Sequence, residues 1–207
     1  MSNPWEKINL QDYESHMGLS SVMQLQAMNS IMNDQLYRYP VSSVMILGIA
    51  GGNGLNHVDP HRFKKICGVD VNRSYLEACT RRYPKLKGVF QPIFCDLSAT
   101  DISLPRTELV IANLLIEYIG CESFQRVIKQ VCPSCVSCVI QLDSDEGFVS
   151  DSPYLHTFDC LASVHRQISQ EALGNAMKAI GYSRIFKSET ELPNGKSLVR
   201  LDFEWDD

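Results

Sequence analysis

Five short apolar runs constrain this chain more than any other feature of it: "SSVMILGIA", "KKICGVDVN", "GVFQPIFCDLS", "TELVIANLLIEYI" and "SCVSCVIQLDS". Each is too short for a buried helix and is apolar on both faces. They alternate with stretches of helical period: a polar one after the first run, "RSYLEACTRRYP" stopped by Pro84, "CESFQRVIKQVCP", and "SQEALGNAMKAIGY". Strands buried on both faces belong in a parallel sheet sandwiched between helices. Upstream, Met17, Leu19, Val22, Met23, Leu25, Met28, Ile31, Met32 and Leu36 recur at helical spacing over 10–39, which predicts a helix or two ended by Pro40.

The C-terminus breaks the rhythm. "SRIFKSETEL" and "KSLVRLDFEW" are joined by "PNG", a hairpin turn sequence. In the second run Val199, Leu201, Phe203 and Trp205 alternate with Arg200, Asp202 and Glu204, which predicts one buried face. Before the last helix, residues 144–168 have no strong period and exceed what a plain connection needs. Such an insertion is expected to build a substrate pocket.

At 207 residues, with 44% apolar and 21% charged, the chain fits one ordinary globular domain. The net charge of −5 repels a polyanion, so no nucleic-acid partner is expected, and small molecules or proteins remain. No run reaches the ~18 apolar residues of a membrane span. "MSNPWEKINLQDYE" lacks a basic flank followed by an apolar run. A cytoplasmic protein with eight reduced cysteines is therefore expected, and its oligomeric state is left open.

The first apolar run enters a loop with four glycines in seven positions, Gly48, Gly51, Gly52 and Gly54. Deleted side chains at the end of a strand let backbone amides approach a ligand. A phosphate-binding NTPase loop needs Gly-Lys-Ser/Thr, but Gly54 is followed by Leu55 and Asn56. A dinucleotide loop needs a third glycine where His57 stands. S-adenosylmethionine, which has no pyrophosphate, is the third candidate.

Further motifs follow in order. "CGVDVN" carries Asp70, whose two oxygens suit a pair of hydroxyls. "FCDLS" offers Asp96 with Leu97, and "IANLLIEYI" offers Asn113, Leu114, Glu117 and Tyr118. With the closing hairpin, residues 41–205 resemble the class I S-adenosylmethionine-dependent methyltransferases. The resemblance implies a Rossmann-like α/β fold: a mostly parallel sheet flanked by helices and closed by a C-terminal antiparallel hairpin. It also implies a methyltransferase domain over 41–207, with 1–40 as a helical lid.

On this resemblance S-adenosyl-L-methionine is the cofactor and S-adenosyl-L-homocysteine the product. Gly48, Ala50, Gly52, Asn53 and Gly54 form the first loop, Asp70 takes both ribose hydroxyls, and Val71 adjoins it. Asp96 lies near the adenine amine, Leu97 touches adenine, and Asn113 and Leu114 line the cofactor. The family's usual acid falls on Gly48, so Asn53, Asn56 or a water would help hold the cofactor's amine. Asp70 also has a competing use as a helix N-cap, a task that Asn72 fits better.

Methyl transfer from a sulfonium needs mainly a held near-attack geometry, and a base only where the acceptor must first lose a proton. Candidate catalytic groups are Glu117, Tyr118, Tyr13 and His16, with His156 beside them; His57 and His61 are expected to cap or solvate a short helix. The acceptor is expected to be a small molecule, with no metal required. "CPSCVSC" has cluster-like spacing at Cys132, Cys135 and Cys138, but strand alternation sends Cys138 away from the others, so buried thiols are expected. Tyr83 and Lys87 match a dehydrogenase pair, yet Pro84 prevents them from sharing a helical face. A nicotinamide oxidoreductase and a non-catalytic scaffold of the same fold are the competing readings.

Overall fold

The computed structural model describes residues 3–143 and 147–206. Residues 144–146, where the expected insertion begins, lie outside the described residues. Seven strands form one sheet: β1 Ser43–Leu47, β2 Lys65–Asp70, β3 Phe90–Phe94, β4 Leu109–Asn113, β5 Cys135–Leu142, β6 Tyr182–Glu191 and β7 Ser197–Trp205. Their spatial order is β3-β2-β1-β4-β5-β7-β6. The first five pair in parallel, whereas β7 runs antiparallel to both β5 and β6. The expected parallel sheet closed by a hairpin is present.

Five α-helices cover it: α1 Leu10–Gly18, α2 Gln24–Arg38, α3 Arg73–Arg82, α4 Ile116–Val131 and α5 Gln170–Lys178. On one face Met45, Leu47, Val110, Val136 and Leu201 pack with Phe124, Val127 and Leu173 of α4 and α5. On the other, Val44, Ile46, Ile66 and Ile111 pack with Met32 and Leu36 of α2 and with Leu76 and Cys79 of α3. Period-2 alternation in buried strands supplies both cores. Among the described residues no helix is long and apolar enough to cross a membrane.

Four local expectations need correction. No α-helix follows β1: residues 48–64 are turns around one 3-10 turn, Leu55–His57. "GGNGLNHVDP" has too many turn formers to hold a helix, and α2 occupies the space, with His57 Nε2 2.7 Å from Asn29 Oδ1. Helix α4 starts five residues before the predicted stretch and kinks at Gly120, which sits at φ 76°. Nor is β7 buried on one face only. Arg200 and Asp202 are 3% and 0% exposed beneath α2, while Trp205, at the strand end, is 47% exposed.

The alternating charges of β7 therefore belong to a second, polar interior. Asp202 accepts hydrogen bonds from Arg200, Ser137 and Tyr39, and Arg200 reaches Asp34 of α2 at 2.6 Å. All eight cysteines are free. Cys135 and Cys138 are buried in opposite cores and Cys132 is exposed, so the three do not converge.

Candidate active site

The sheet order reverses at β1, which pairs with β2 on one side and β4 on the other. At such a switch point the chains leaving the two strands diverge and open a crevice. Gly48 leaves β1 at φ 66° and Leu114 leaves β4 at φ 54°. Gly48 and Ile49 both donate to Val69 O, at 2.9 and 3.1 Å, so the glycine loop stays tied to β2.

Three cavities meet over this crevice, and Tyr13 and Leu114 are the described residues common to all three. The first lies over the ends of β1, β2 and β4. Its floor is Gly48, Ala50, Asp70, Val71, Asp96, Leu97, Asn113 and Leu114, and its cover is Trp5 and Tyr13. Eight of the eleven residues expected at the cofactor converge there.

Asp70 is 8% exposed. Its Oδ2 accepts the Ala50 N–H at 2.9 Å and its Oδ1 the Asn72 N–H at 2.8 Å. Burial pushes the carboxyl up, and N–H groups of Asn72, Ala50 and Val71 pull it back. Each oxygen keeps a lone pair for a further donor. The helix-capping task falls to Asn72, whose Oδ1 accepts the Ser74 N–H at 3.0 Å. Asp96 accepts from Ser98 N and Asn3 Nδ2, at 2.9 and 3.2 Å. Asn113 forms a reciprocal amide pair with Gln35 of α2, 2.9 Å in each direction. Its amide is thus spent on the fold.

The other three loop residues serve a different end. A Cβ on Gly54 would lie 2.3 Å from Met32 Cγ, and one on Gly52 2.9 Å from the Tyr83 ring. These side chains are deleted to admit α2 and the end of α3, and neither residue lines the first cavity. Asn53 donates to Leu25 O and accepts from Asn29, and Asn29 also donates to Asn56. Both asparagines are engaged by α2 rather than free for a ligand. An acid at position 48 would be strained, since the residue is left-handed at φ 66° and a Cβ there would meet Leu115 Cδ1 at 3.1 Å. Over Gly51, Glu14 of α1 makes an ion pair with Arg82.

The second cavity gathers all four leading catalytic candidates, Tyr13, His16, Glu117 and Tyr118. Glu117 is 3% exposed. Its Oε1 accepts the Gln141 N–H at 2.8 Å, whereas Oε2 has no partner among the described residues. Burial, with Asp143 adding repulsion, pushes its carboxyl up to about 7 against the pull of the Gln141 N–H. Burial likewise raises Tyr13 and Tyr118, which keeps both phenols protonated. His16 lies 2.8 Å from Ser152 Oγ, and burial lowers its pKa. His156 is elsewhere: it is exposed and faces Asp159 at 3.2 Å.

Sequence reasoning missed Trp5, Phe148, Phe158 and His165, which wall this cavity. Trp5 packs edge-on to Tyr13 and Tyr118, with centroids 6.0 and 4.9 Å apart, and Phe148 stacks on His165 at 4.2 Å. The only available signal was the unperiodic insertion that carries three of the four.

No family model matches the chain, and no curated protein is similar to it in sequence. Solved structures are similar in fold. The N-methyltransferase NodS from Bradyrhizobium japonicum, solved with S-adenosyl-L-homocysteine, superposes with a TM-score of 0.68 at 11% identity, over 96% of this chain and 98% of that one. The fold is that of the class I methyltransferases. Geranyl diphosphate C-methyltransferase from Streptomyces coelicolor gives 0.64 at 11% identity, covering 88% of this chain and 81% of its own. The [4+2]-cyclase SpnF gives 0.64 at 7% identity, over 87% of this chain and 81% of that one. One methyltransferase fold thus carries several chemistries.

Proposed function

We propose that this protein transfers a methyl group from S-adenosyl-L-methionine to a small organic acceptor. The observation that carries the reading is Asp70: a buried carboxylate at the end of β2, oriented by two backbone N–H groups and lining the first cavity. Its free lone pairs suit the two ribose hydroxyls. Val71 and Leu97 would flank the adenine and Asp96 would accept from its amine. Gly48 and Ala50 leave room for the amino-acid end, with Leu114 beside them.

The cofactor supplies an activated methyl group. The protein then has to hold the acceptor in line and keep water out. Tyr13 and Leu114, shared by the three cavities, mark where cofactor and acceptor spaces meet. The segment 3–18 lies over that point, which supports its role as a cover.

Calorimetric titration tests the reading. Micromolar binding of S-adenosylmethionine and S-adenosylhomocysteine is expected, weakened in Asp70→Ala by more than ~1.5 kcal/mol, the scale of a lost charge-assisted hydrogen bond. Binding of NAD in their place would favour an oxidoreductase, and binding of none would favour a scaffold.

A further inference from the structure

The second cavity has a chemistry of its own. Its walls carry the aromatic rings of Trp5, Tyr13, Tyr118 and Phe158 and the stacked Phe148 and His165, with the polar Gln24, Gln141 and Ser150 between them. One carboxyl, Glu117, stands among them with a buried oxygen that has no partner among the described residues. A buried acceptor without a donor costs free energy. Among the described residues none supplies the missing cation. Lys196 is already held by Asp143 at 3.1 Å and by Gly147 O. Burial holds both His16 and His165 below the usual histidine range, hence neutral near pH 7. Aromatic faces with a carboxylate at one side form the arrangement that attracts an organic ammonium.

Resting on the methyltransferase reading above, we infer that the acceptor is a small organic amine. Its ammonium meets Glu117 Oε2 and its carbon frame lies among Trp5, Tyr13, Tyr118 and Phe158. A neutral alcohol would satisfy the oxygen without the ion pair, and a carboxylate would be repelled by it. The step balances. The bound ammonium gives one proton to the Glu117 carboxylate, freeing the nitrogen lone pair. The N–C bond forms as the S–C bond breaks, with its electron pair left on sulfur. The methylated nitrogen is then cationic beside a protonated carboxyl, whose proton passes to solvent when the product leaves. A carboxyl that titrates close to neutrality accepts and releases that proton readily.

The test uses protein saturated with S-adenosylhomocysteine and titrates matched pairs at pH 7.5: benzylamine and benzyl alcohol, 2-phenylethylamine and 2-phenylethanol, tryptamine and tryptophol. At least one amine should bind tenfold or more tightly than its alcohol. That preference should vanish in Glu117→Gln, which should still bind S-adenosylhomocysteine and so prove folded. If no amine outcompetes its alcohol, or if the preference survives in Glu117→Gln, the inference is overturned. Loss of S-adenosylhomocysteine binding in the unaltered protein is a separate result: it defeats the methyltransferase reading and this inference with it.

Discussion

The two N-terminal helices are neighbours in sequence, yet they cover opposite kinds of interior. Beneath α2 is a polar network in which the groups have partners: Arg200 with Asp202 and Asp34, Asp202 with Tyr39 and Ser137, Gln35 with Asn113. Beneath α1 are Glu117 Oε2 and Trp5 Nε1, two of the three buried side-chain atoms without a partner among the described residues. A satisfied buried network specifies structure, whereas an unsatisfied one leaves a place for a ligand. On the function proposed above, the N-terminal segment divides into a structural helix, α2, and a cover, residues 3–18.

The harshest way to break this contrast is to cut the α2 network. Asp202→Ala leaves buried Arg200 with the half-exposed Asp34 as its acid partner, takes the acceptor from Tyr39 and Ser137, and should cost about 3–5 kcal/mol, read from urea unfolding. A loss below about 1 kcal/mol would mean that α2 is no better anchored than α1.

The cavity under α1 should announce itself through pH. Glu117 titrates near 7 in the folded protein against 4.5 ordinarily. Between those values the folded state binds more protons than the unfolded one, so stability falls as pH rises. The drop should be roughly 3 kcal/mol at 1.36 kcal/mol per unit, complete just above pH 7. Urea unfolding from pH 4.5 to 8 should show it, and Glu117→Gln should flatten the curve.

Gly54→Ala probes the seat of α2 on the glycine loop. The new methyl collides with Met32 at a residue with φ 95°, and a loss of about 1–3 kcal/mol is expected in thermal unfolding. The smallest effect belongs to Glu14→Ala. Its ion pair with Arg82 is partly exposed, so stability should change by no more than about 1 kcal/mol. S-adenosylhomocysteine should nonetheless dissociate several-fold faster in stopped flow, because this pair holds α1 across Gly51. Unchanged release would mean that segment 3–18 is no cover.

Much of the site could be read along the chain because it hangs on strand ends. Asp70, Asp96 and Asn113 close or follow apolar runs, and a strand end has one destination in a parallel sheet. Gly52, Gly54 and Asn53 were harder. A glycine records that space is needed but not what fills it, and here the occupants are Tyr83, Met32 and Asn29, remote in sequence. Trp5 gave no warning because it belongs to no periodic element, and Phe158 gave only that of lying in an unperiodic insertion.

By itself, then, the sequence determined the sheet, its closing hairpin and the acids at its crevice, since period and turn chemistry are local properties. Only the tertiary structure decided that Arg200 and Asp202 are interior, that α2 takes the place of a helix after β1, and that Glu117 is enclosed by aromatic rings. Burial and partnership depend on which distant segments arrive, and no local pattern encodes the arrival.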